Sequence, residues 1–304
     1  MKKKLLSIVS AAFFGTVLLT GCSVSQTTAS ESENDTDSDS EPAESESSGE
    51  ESALLTELKD KGYITIATSN DAPFCYYDVD TNELVGLDVD ILQEICNRLG
   101  IPEIRANVTD FSNMLIELNN KNVDMVADAM YITDERLEQA LFTDVWYTEG
   151  EAVVTTADSE FTTKESLKDA SVGAQPGTAF YELAQQWAEE GTVKEVVSYE
   201  NQATLMTAVN TGKVDAAVTD GIVAAYTLAQ DSSLDLKLMS PYEAEATGQI
   251  GAAVRFEDQD FLEEVNEALN DMKEDGTLME ILESYGLTED YFIGADEGKT
   301  ENVQ

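Results

Sequence analysis

Arg136 stands three residues after Thr133 and just beyond a short buried strand, where its side chain could hold a carboxylate. The planar guanidinium stays charged and binds a carboxylate through two parallel hydrogen bonds. The same residues also fit an ordinary helix start, with Thr133 as N-cap, acids in the first turn and Arg136 paired with a surface acid. The surrounding run, Asp124–Tyr147, reads DMVADAMYITDERLEQALFTDVWY. These residues therefore predict a carboxylate clamp or a capped helix, and the neighbouring elements decide between the two.

Composition excludes several kinds of chemistry. The 304 residues contain no histidine, which rules out histidine-based triads, general bases and metal sites. The net charge of −44 argues against a nucleic-acid partner, because phosphates would be repelled. The run Asp78–Asn82 starts like a calcium loop, but Glu83 and Val89 stand where such a loop needs glycine and glutamate, so it predicts an acidic hairpin turn. We expect neither a cofactor nor a metal.

The N-terminus has the layout of an export signal. Lys2–Lys4 form a positive region, and Leu5–Leu19 is an apolar run too short to span a bilayer comfortably. The run ends in Leu19-Thr20-Gly21-Cys22, which resembles a bacterial lipobox. This predicts a signal peptide over 1–21 and lipidation of Cys22, the alternative being an uncleaved anchor. In either case the protein works outside the cytoplasm, attached to the cell membrane.

The segment after Cys22 has the composition of a tether. Residues 23–53 hold ten acids, ten serines and no lysine or arginine. Such a segment repels itself and cannot bury apolar surface, so 22–53 is predicted to be disordered. A disordered tail is also expected over 293–304. The two remaining cysteines, Cys75 and Cys96, are either one disulfide or two buried thiols.

Between tether and tail, short β-rich runs alternate with amphipathic helices, which indicates an α/β fold with mostly parallel sheets. The pattern occurs twice, so we expect two lobes. Lobe 1 is formed by residues 54–152 together with 250–292, and lobe 2 by residues 153–249. Two β-like runs, Glu151–Thr156 and Gln249–Val254, stand where the chain must cross between them. The predicted elements are strands at 64–68, 104–108, 125–127, 171–174, 195–199 and 215–218, and helices at 88–99, 111–119, 179–190, 201–211, 221–230 and two stretches within 259–285. Two lobes joined by two crossing strands form a hinge, and the cleft between them is a preferred ligand site.

At this level of organisation the chain resembles the family-3 extracellular solute-binding proteins, which capture polar amino acids for ABC importers. The resemblance covers about 60–290. Its motifs, in chain order, are Ala72-Pro73-Phe74, Leu84–Asp90, Asp124–Arg136 followed by Phe142-Thr143-Asp144, Val172–Thr178, and Gly212–Asp220. The resemblance implies a type II periplasmic-binding-protein fold, with two α/β lobes closing on a small ligand.

Carried over by position, the resemblance assigns four ligand-binding roles. Arg136 would hold the ligand carboxylate, and Asp220 on the opposite lobe would accept the α-ammonium. Asp220 also fits a helix N-cap before Gly221, and one carboxylate has oxygens for both roles. Thr178 would offer its backbone N–H and hydroxyl at a helix N-terminus, which favours an anion. Phe111 would form a wall of the pocket, or else pack in the core.

Three positions depart from the amino-acid pattern. Ala129 and Tyr131 stand where relatives often carry small hydroxyls, and an aromatic ring there resembles binders of ectoine-like solutes, in which rings surround a delocalised cation. Asp71 stands where many relatives place a ring, and either pairs with a cationic ligand side chain or is a solvated turn residue.

Tyr76 and Tyr77 alternate across a strand, so at most one faces the cleft.

The function expected from this resemblance is capture of a polar or charged amino acid by lobe closure and delivery to a membrane permease, by a protein expected to be a monomer. The alternatives are a binder of an ectoine-like solute, a ligand-sensing surface lipoprotein, or an enzyme of the dehydratase kind on the same fold. An acid–base pair in such an enzyme would have to be two carboxylates, because histidine is absent.

Overall fold

A computed structural model describes residues 51–302. The predicted signal peptide, Cys22 and nearly all of the predicted tether lie outside these residues. Within 51–302, no helix has the length and apolar character needed to cross a membrane.

The first part of the chain builds most of lobe 1. Its elements are α1 (Ala53–Lys61), β1 (Ile64–Thr68), β2 (Tyr76–Tyr77), β3 (Leu84–Val85), α2 (Leu87–Leu99), β4 (Ile104–Val108), a 3₁₀ turn (Phe111–Asn113) leading into α3 (Met114–Asn119), β5 (Met125–Val126), α4 (Asp134–Leu137) and β6 (Leu141–Phe142). The β2–β3 hairpin turns at the acidic run predicted from sequence, where Asp78 Oδ1 accepts hydrogen bonds from the backbone N–H of Asp80 and of Thr81. Among residues 51–302 no cluster of acids or cysteines is suited to a metal ion.

The chain then crosses to lobe 2 and returns. The elements are β7 (Tyr147–Glu149), β8 (Glu151–Thr156), a 3₁₀ turn (Lys164–Leu167), β9 (Ser171–Ala174), α5 (Ala179–Glu189), β10 (Glu195–Ser198), α6 (Gln202–Asn210), β11 (Ala216–Asp220), α7 (Gly221–Gln230), β12 (Leu236–Leu238), β13 (Gly248–Ile250), β14 (Ala253–Val254), a 3₁₀ turn (Phe256–Asp258), α8 (Gln259–Asp275), α9 (Thr277–Ser284) and a 3₁₀ turn (Glu289–Tyr291).

Each lobe is built on a five-stranded mixed sheet. The strand order is β4-β1-β5-β14-β6 in lobe 1 and β10-β9-β11-β8-β12 in lobe 2. In each sheet the first three strands are parallel, and the fourth, β14 or β8, runs antiparallel to its neighbours on both sides. The carboxyl ends of parallel strands are where α/β sheets present ligand-binding groups, so these edges position the site.

The two lobes are connected by a pair of strands. β7 runs antiparallel to β13, with Glu149 opposite Gly248 and Tyr147 opposite Ile250. The predicted crossing strands are therefore corrected: Glu151–Thr156 lies entirely in the lobe 2 sheet, and Gln249–Val254 is broken at Gly251–Ala252 into a crossing part and a lobe 1 part. The crossing strand β7 escaped sequence analysis because it is only three residues long, Tyr147-Thr148-Glu149, which is too short to show a periodic pattern.

Both ends of the described chain pack on lobe 1. Ser52 caps α1, and its backbone N–H and hydroxyl both donate to Glu264 of α8, so the fold begins before the predicted residue 54. The predicted disorder of 293–304 is also corrected as far as Asn302, because Val145 N–H donates to Gly298 O at 2.7 Å and the Asn302 side chain bonds both backbone groups of Phe142. The tail lies on an edge strand and satisfies its backbone, which composition cannot reveal.

The two cysteines of the folded part, Cys75 and Cys96, are both buried and unpaired. Cys96 lies on the core-facing side of α2, and Cys75 in the turn before β2. Of the two states that the sequence left open, the structure contains two buried thiols.

Candidate functional site

A cavity of about 380 Å³ lies between the lobes, and residues of both lobes form its walls. All seven predicted ligand-binding residues line it: Asp71, Phe111, Ala129, Tyr131, Arg136, Thr178 and Asp220. The structure adds Phe74, Asp128, Gln175, Ala179, Phe180, Gln202 and Val223. This volume includes space that is open to solvent, so the enclosed part of the cavity is smaller.

Arg136 joins the two lobes at one end of the cavity. Thr133 caps α4 as predicted, accepting a hydrogen bond from Arg136 N–H, and the guanidinium points away into the cleft. Its Nη1 donates to Tyr131 O and its Nη2 to Gly177 O of lobe 2, both at 2.7 Å. The carboxylate clamp and the capped helix, both predicted from the sequence, are therefore compatible. Burial lowers the pKa of Arg136 to about 10, while Glu182 and Glu135 act against that shift, so the group remains a cation.

Asp220 ends β11 and caps α7, and it has lobe 1 neighbours at the other side of the cavity. Its Oδ1 accepts from Val223 N–H at 2.9 Å, which is the predicted N-cap. The buried carboxyl of Glu149, in the crossing strand, lies near enough to Asp220 for the two charges to repel each other. No group of residues 51–302 donates to either oxygen of Glu149. Burial and the charge of Asp220 raise the pKa of Glu149 well above its usual range, which favours the neutral form of that carboxyl.

Thr178 stands at the N-terminus of α5, as predicted. Its hydroxyl accepts from Tyr181 N–H and donates to Gln175 O at 2.7 Å. Gln175 is buried and accepts from Gln202 Nε2 at 2.8 Å, and Gln202 in turn accepts from Thr219 at 2.6 Å. These amides form a fixed polar wall on lobe 2.

A pair of acids lines lobe 1 opposite that wall. Asp71 Oδ2 and Asp128 Oδ2 each lie 2.7 Å from the Ser69 hydroxyl, and Asp128 also accepts from Ser69 N–H at 2.7 Å. Gln175 reaches Asp71 across the cleft at 3.4 Å. Burial raises the pKa of both carboxyls, and the charge of Asp71 raises that of Asp128 further.

Ala129 owes its place in the cavity wall to a buried acid. It adopts a left-handed backbone with φ of 49°, which costs a non-glycine residue energy and needs support from its surroundings. Asp88, at the start of α2, supplies that support: Oδ2 accepts from Ala129 N–H at 2.6 Å and Oδ1 from the Tyr147 hydroxyl at 2.7 Å. The acid of the Leu84–Asp90 motif therefore shapes the cavity without lining it.

The rings of Tyr131 and Phe111 pack against protein groups, whereas the rings of a cage would leave their faces open to a ligand. The Tyr131 ring meets Phe180 of lobe 2 edge-on, with ring centroids 5.3 Å apart. The Arg136 guanidinium lies over the Phe111 ring, 5.6 Å from its centroid. Phe111 thus serves both predicted roles, because it is buried among core residues and also lines the cavity.

Of the two consecutive tyrosines, Tyr76 is the one that faces the other lobe. Its hydroxyl lies 3.1 Å from the Tyr226 hydroxyl on α7. Tyr77 points back into lobe 1 and donates to Ala106 O. The alternation expected along the strand accounts for this difference.

Sequence reasoning missed Asp128, Gln175 and Gln202 as cavity residues. Asp128 comes just after a buried parallel strand, and Gln175 just after β9, so both positions carry the signal of a polar group at the carboxyl edge of a sheet. Gln202 lies in the first turn of α6 and has no comparable signal, since the loop after β10 determines which way it faces.

Comparison with known proteins gives a consistent result. Residues 64–288 match the family model of bacterial extracellular solute-binding proteins, family 3. The chain is similar to the L-cystine-binding protein TcyA of Bacillus subtilis strain 168, with 29% identity over 77% of this chain and 85% of that protein. It is similar to the arginine-binding extracellular protein ArtP of the same strain, with 29% identity over 91% and 95% of the two chains.

Among solved structures, a P235GK mutant of ArgBP from T. maritima superposes with a TM-score of 0.68 at 29% identity, covering 76% of this chain and 98% of that one. The family match spans most of the folded part, both lobes and every residue that lines the cavity. The chain belongs to the bacterial extracellular solute-binding proteins of family 3.

Proposed function

We propose that this protein is the substrate-binding component of an ABC importer and captures a polar or charged amino acid outside the cell. The observation that carries the proposal is one cavity with Arg136 from lobe 1 and Asp220 from lobe 2 in its walls. A zwitterion bears the two opposite charges that such a pair selects. The relatives named for L-cystine and arginine binding support the same class of ligand.

Arg136 is proposed to bind the ligand carboxylate. Two of its five N–H donors bond Tyr131 O and Gly177 O, and others remain for a ligand. The N-terminus of α5, an eleven-residue helix capped by Thr178, favours an anion at the same place. The carboxylate would thus lie between a cation of one lobe and a helix dipole of the other.

Asp220 is proposed to bind the α-ammonium. The N-cap bond to Val223 occupies one of its oxygens and leaves the other for the ligand. The buried carboxyl of Glu149 lies near it and has a raised pKa, so an incoming ammonium would compete with a proton for these two acids. The ligand ammonium would therefore take the place of that proton and give Asp220 a partner that stays charged.

Lobe closure is proposed to trap the ligand and to signal its presence to the permease. The bonds from Arg136 to Gly177 and from Tyr76 to Tyr226 exist only when the lobes meet, so they belong to the closed form. Closure excludes water and strengthens both charge contacts. A ligand that shifts the lobes from 1:99 to 99:1 must favour the closed form by about 5.5 kcal/mol.

The proposed site of action is the outer face of the cell membrane. Residues 1–21 would be removed as a signal peptide, Cys22 would carry the lipid, and the acidic segment after it would let the two lobes reach the permease as a monomer. The family is extracellular by description, which supports export.

The alternative of an ectoine-like ligand has less support. Its cage would need the open faces of Phe111 and Tyr131, and Arg136 and Phe180 already pack there. The similar proteins named above are binding proteins, which favours binding over catalysis. Analysis of the bound ligand after prolonged incubation tests for an enzyme, because a dehydratase would return a smaller molecule.

Isothermal titration calorimetry against the twenty amino acids and ectoine, with protein lacking residues 1–22, tests the proposal. We expect at least one amino acid to bind, and Arg136→Ala to weaken it by about 100-fold or more, since a buried charge partner is lost. Arg105→Ala is the matched control, because Arg105 forms an exposed pair with Glu103 far from the cavity. Unchanged affinity in Arg136→Ala, or binding of ectoine alone, would contradict the assignment.

A further inference from the structure

One oxygen of Asp128 has no partner although the residue is buried. Only 2% of Asp128 is exposed, and no group of residues 51–302 donates to Oδ1. The residue lines the cavity, so this carboxyl with an unpaired oxygen belongs to the wall against which a ligand would lie. A buried carboxylate oxygen left unpaired costs free energy, and such a group is expected to have a partner in some state of the protein.

The neighbouring acid increases this imbalance. The Ser69 hydroxyl lies 2.7 Å from Asp71 Oδ2 and 2.7 Å from Asp128 Oδ2, yet it has one hydrogen and can donate to one of them at a time. The remaining donor to Asp71 is Gln175, at a long 3.4 Å. Two carboxyls thus share too few donors, and a cation with several N–H groups would satisfy both.

The charges around the whole cavity are also unbalanced. Its walls contain one cationic side chain, Arg136, and three carboxyls, Asp71, Asp128 and Asp220. A zwitterion bound to Arg136 and Asp220 leaves the other two acids uncompensated. A second ligand carboxylate would have no cation to meet there, whereas a second ligand cation would reduce the imbalance from two negative charges to one.

We propose that Asp71 and Asp128 form a subsite for a cationic ligand side chain, so that the ligand is a basic amino acid with a guanidinium or ammonium group. This inference rests on the proposed function, since it takes Arg136 and Asp220 as the partners of the α-carboxylate and α-ammonium. The planar guanidinium has enough donors to reach both acids. Ser69 and Gln175 then hold the two acids in position from either lobe.

A proton is the rival occupant of this subsite. Burial and the charges of Asp71 and Asp88 raise the pKa of Asp128 well above its usual range. A neutral ligand would leave that proton in place, and a cationic ligand would expel it. Ligand charge and proton release are therefore linked, and both are measurable.

The test compares L-arginine with L-citrulline, which has the same length but a neutral ureido group, and L-lysine with L-glutamine. Calorimetry at pH 7 should show arginine or lysine binding about 100-fold more tightly than its neutral counterpart. Titrations in buffers of different ionisation enthalpy should show more proton release with the cationic ligand than with its neutral counterpart, because the neutral one leaves the proton on Asp128 in place. Asp128→Asn should lose about 100-fold in affinity for the basic amino acid and change the neutral one by less than about threefold.

Two further variants keep the result interpretable. Asp71→Asn should have the same selective effect as Asp128→Asn, and Asp134→Asn, which removes the same charge from an exposed site on the same segment, should have none. The melting temperature of each variant without ligand reports whether it folds. A failure of Asp128→Asn to fold leaves Asp71→Asn and the wild-type comparison of ligands as sufficient tests.

The outcomes separate this inference from the function on which it rests. Equal affinity for basic and neutral amino acids, or a preference for an acidic one, would overturn the subsite while amino-acid binding stands. Binding of no amino acid at all would overturn both. Tight arginine binding that is lost equally in Asp128→Asn and Asp134→Asn would show an effect of overall charge and would also reject the subsite.

Discussion

Glu149 is an acid held where a protonated carboxyl is more stable than a charged one. It lies in the strand that connects the lobes, 4% exposed, with both oxygens lacking a donor among residues 51–302. Burial and the charge of Asp220 raise its pKa well above that of a free glutamate. The pKa of Asp88 is raised to about 6, again chiefly by burial. The dependence of stability on pH therefore has the same sign for Glu149 and Asp88.

The sign of this effect follows from proton binding in the two states. As pH rises through about 4, the unfolded chain releases these protons while the native state keeps them, so stability falls. For Asp88 the decrease is complete near its native pKa of about 6, and for Glu149 it continues above that. We expect the melting temperature without ligand to be lower at pH 8 than at pH 5.

Glu149→Gln should raise the stability at pH 8 by about 1–3 kcal/mol. Glutamine imitates the protonated acid, and its amide can donate to Asp220. The gain should vanish at pH 4, where the wild-type carboxyl is already protonated. Urea unfolding at the two pH values measures the difference, with Glu243→Gln, an exposed acid, as control. A loss of stability at pH 8 would mean that the Glu149 carboxylate has a favourable partner.

At the scale of elements, the paired strands β7 and β13 form the connection against which Tyr131 packs. A Cβ added to Gly248 would lie 2.2 Å from two atoms of the Tyr131 ring. The same ring lines the ligand cavity and touches Phe180 of lobe 2. The absence of a side chain at 248 therefore determines where the ring lies and how the lobes meet.

Gly248→Ala should destabilise the protein by about 1–3 kcal/mol, because the aromatic ring and the strand must move apart. Ligand affinity should fall as well, since the ring would shift into the cavity. Gly294→Ala is the matched control, because its added methyl group would meet nothing within 4 Å. Combining Gly248→Ala with Tyr131→Ser should recover most of the lost stability, and a double-mutant cycle measures the coupling. Purely additive effects would exclude the steric explanation.

At the scale of the whole molecule, the C-terminal tail completes the lobe 1 sheet. Asn302 accepts from Phe142 N–H at 2.7 Å and donates to Phe142 O at 2.8 Å, in the manner of a paired strand. Thr300 donates to Thr143 O at 2.7 Å, and its N–H donates to Asp144. The Phe142-Thr143-Asp144 motif, prominent in the sequence, thus binds the tail and contributes nothing to the cavity walls.

A chain that ends at Phe292 should be less stable by about 2–5 kcal/mol, since several buried hydrogen bonds are lost at about 1 kcal/mol each. Thermal unfolding without ligand measures the loss. A chain that ends at Asn302 is the control and should unfold like the full chain. Because the tail is remote from the ligand cavity, affinity at a temperature where both forms are folded should be unchanged, and a large change would mean that the tail influences lobe closure.

Much of this architecture was predictable because it depends on local signals. Strands β1, β4 and β9 and helix α7 have the bounds predicted from sequence, and Thr133, Thr178 and Asp220 cap helices as expected. Hydrophobic periodicity and capping act within a few residues, so a single sequence contains them. The motifs that identify the family are local in the same sense.

The sequence by itself determined the two α/β lobes, the family and the seven residues that meet in the cavity. Only the tertiary structure decided that Asp128 is buried with an unpaired oxygen, that Glu149 faces Asp220, and that the tail covers an edge strand. These features arise between residues far apart in the chain, where burial and the distance between charges set the energy. Residue types alone contain neither quantity, which is why the number of acids at the site, on which the proposed charge of the ligand rests, emerged only from the folded chain.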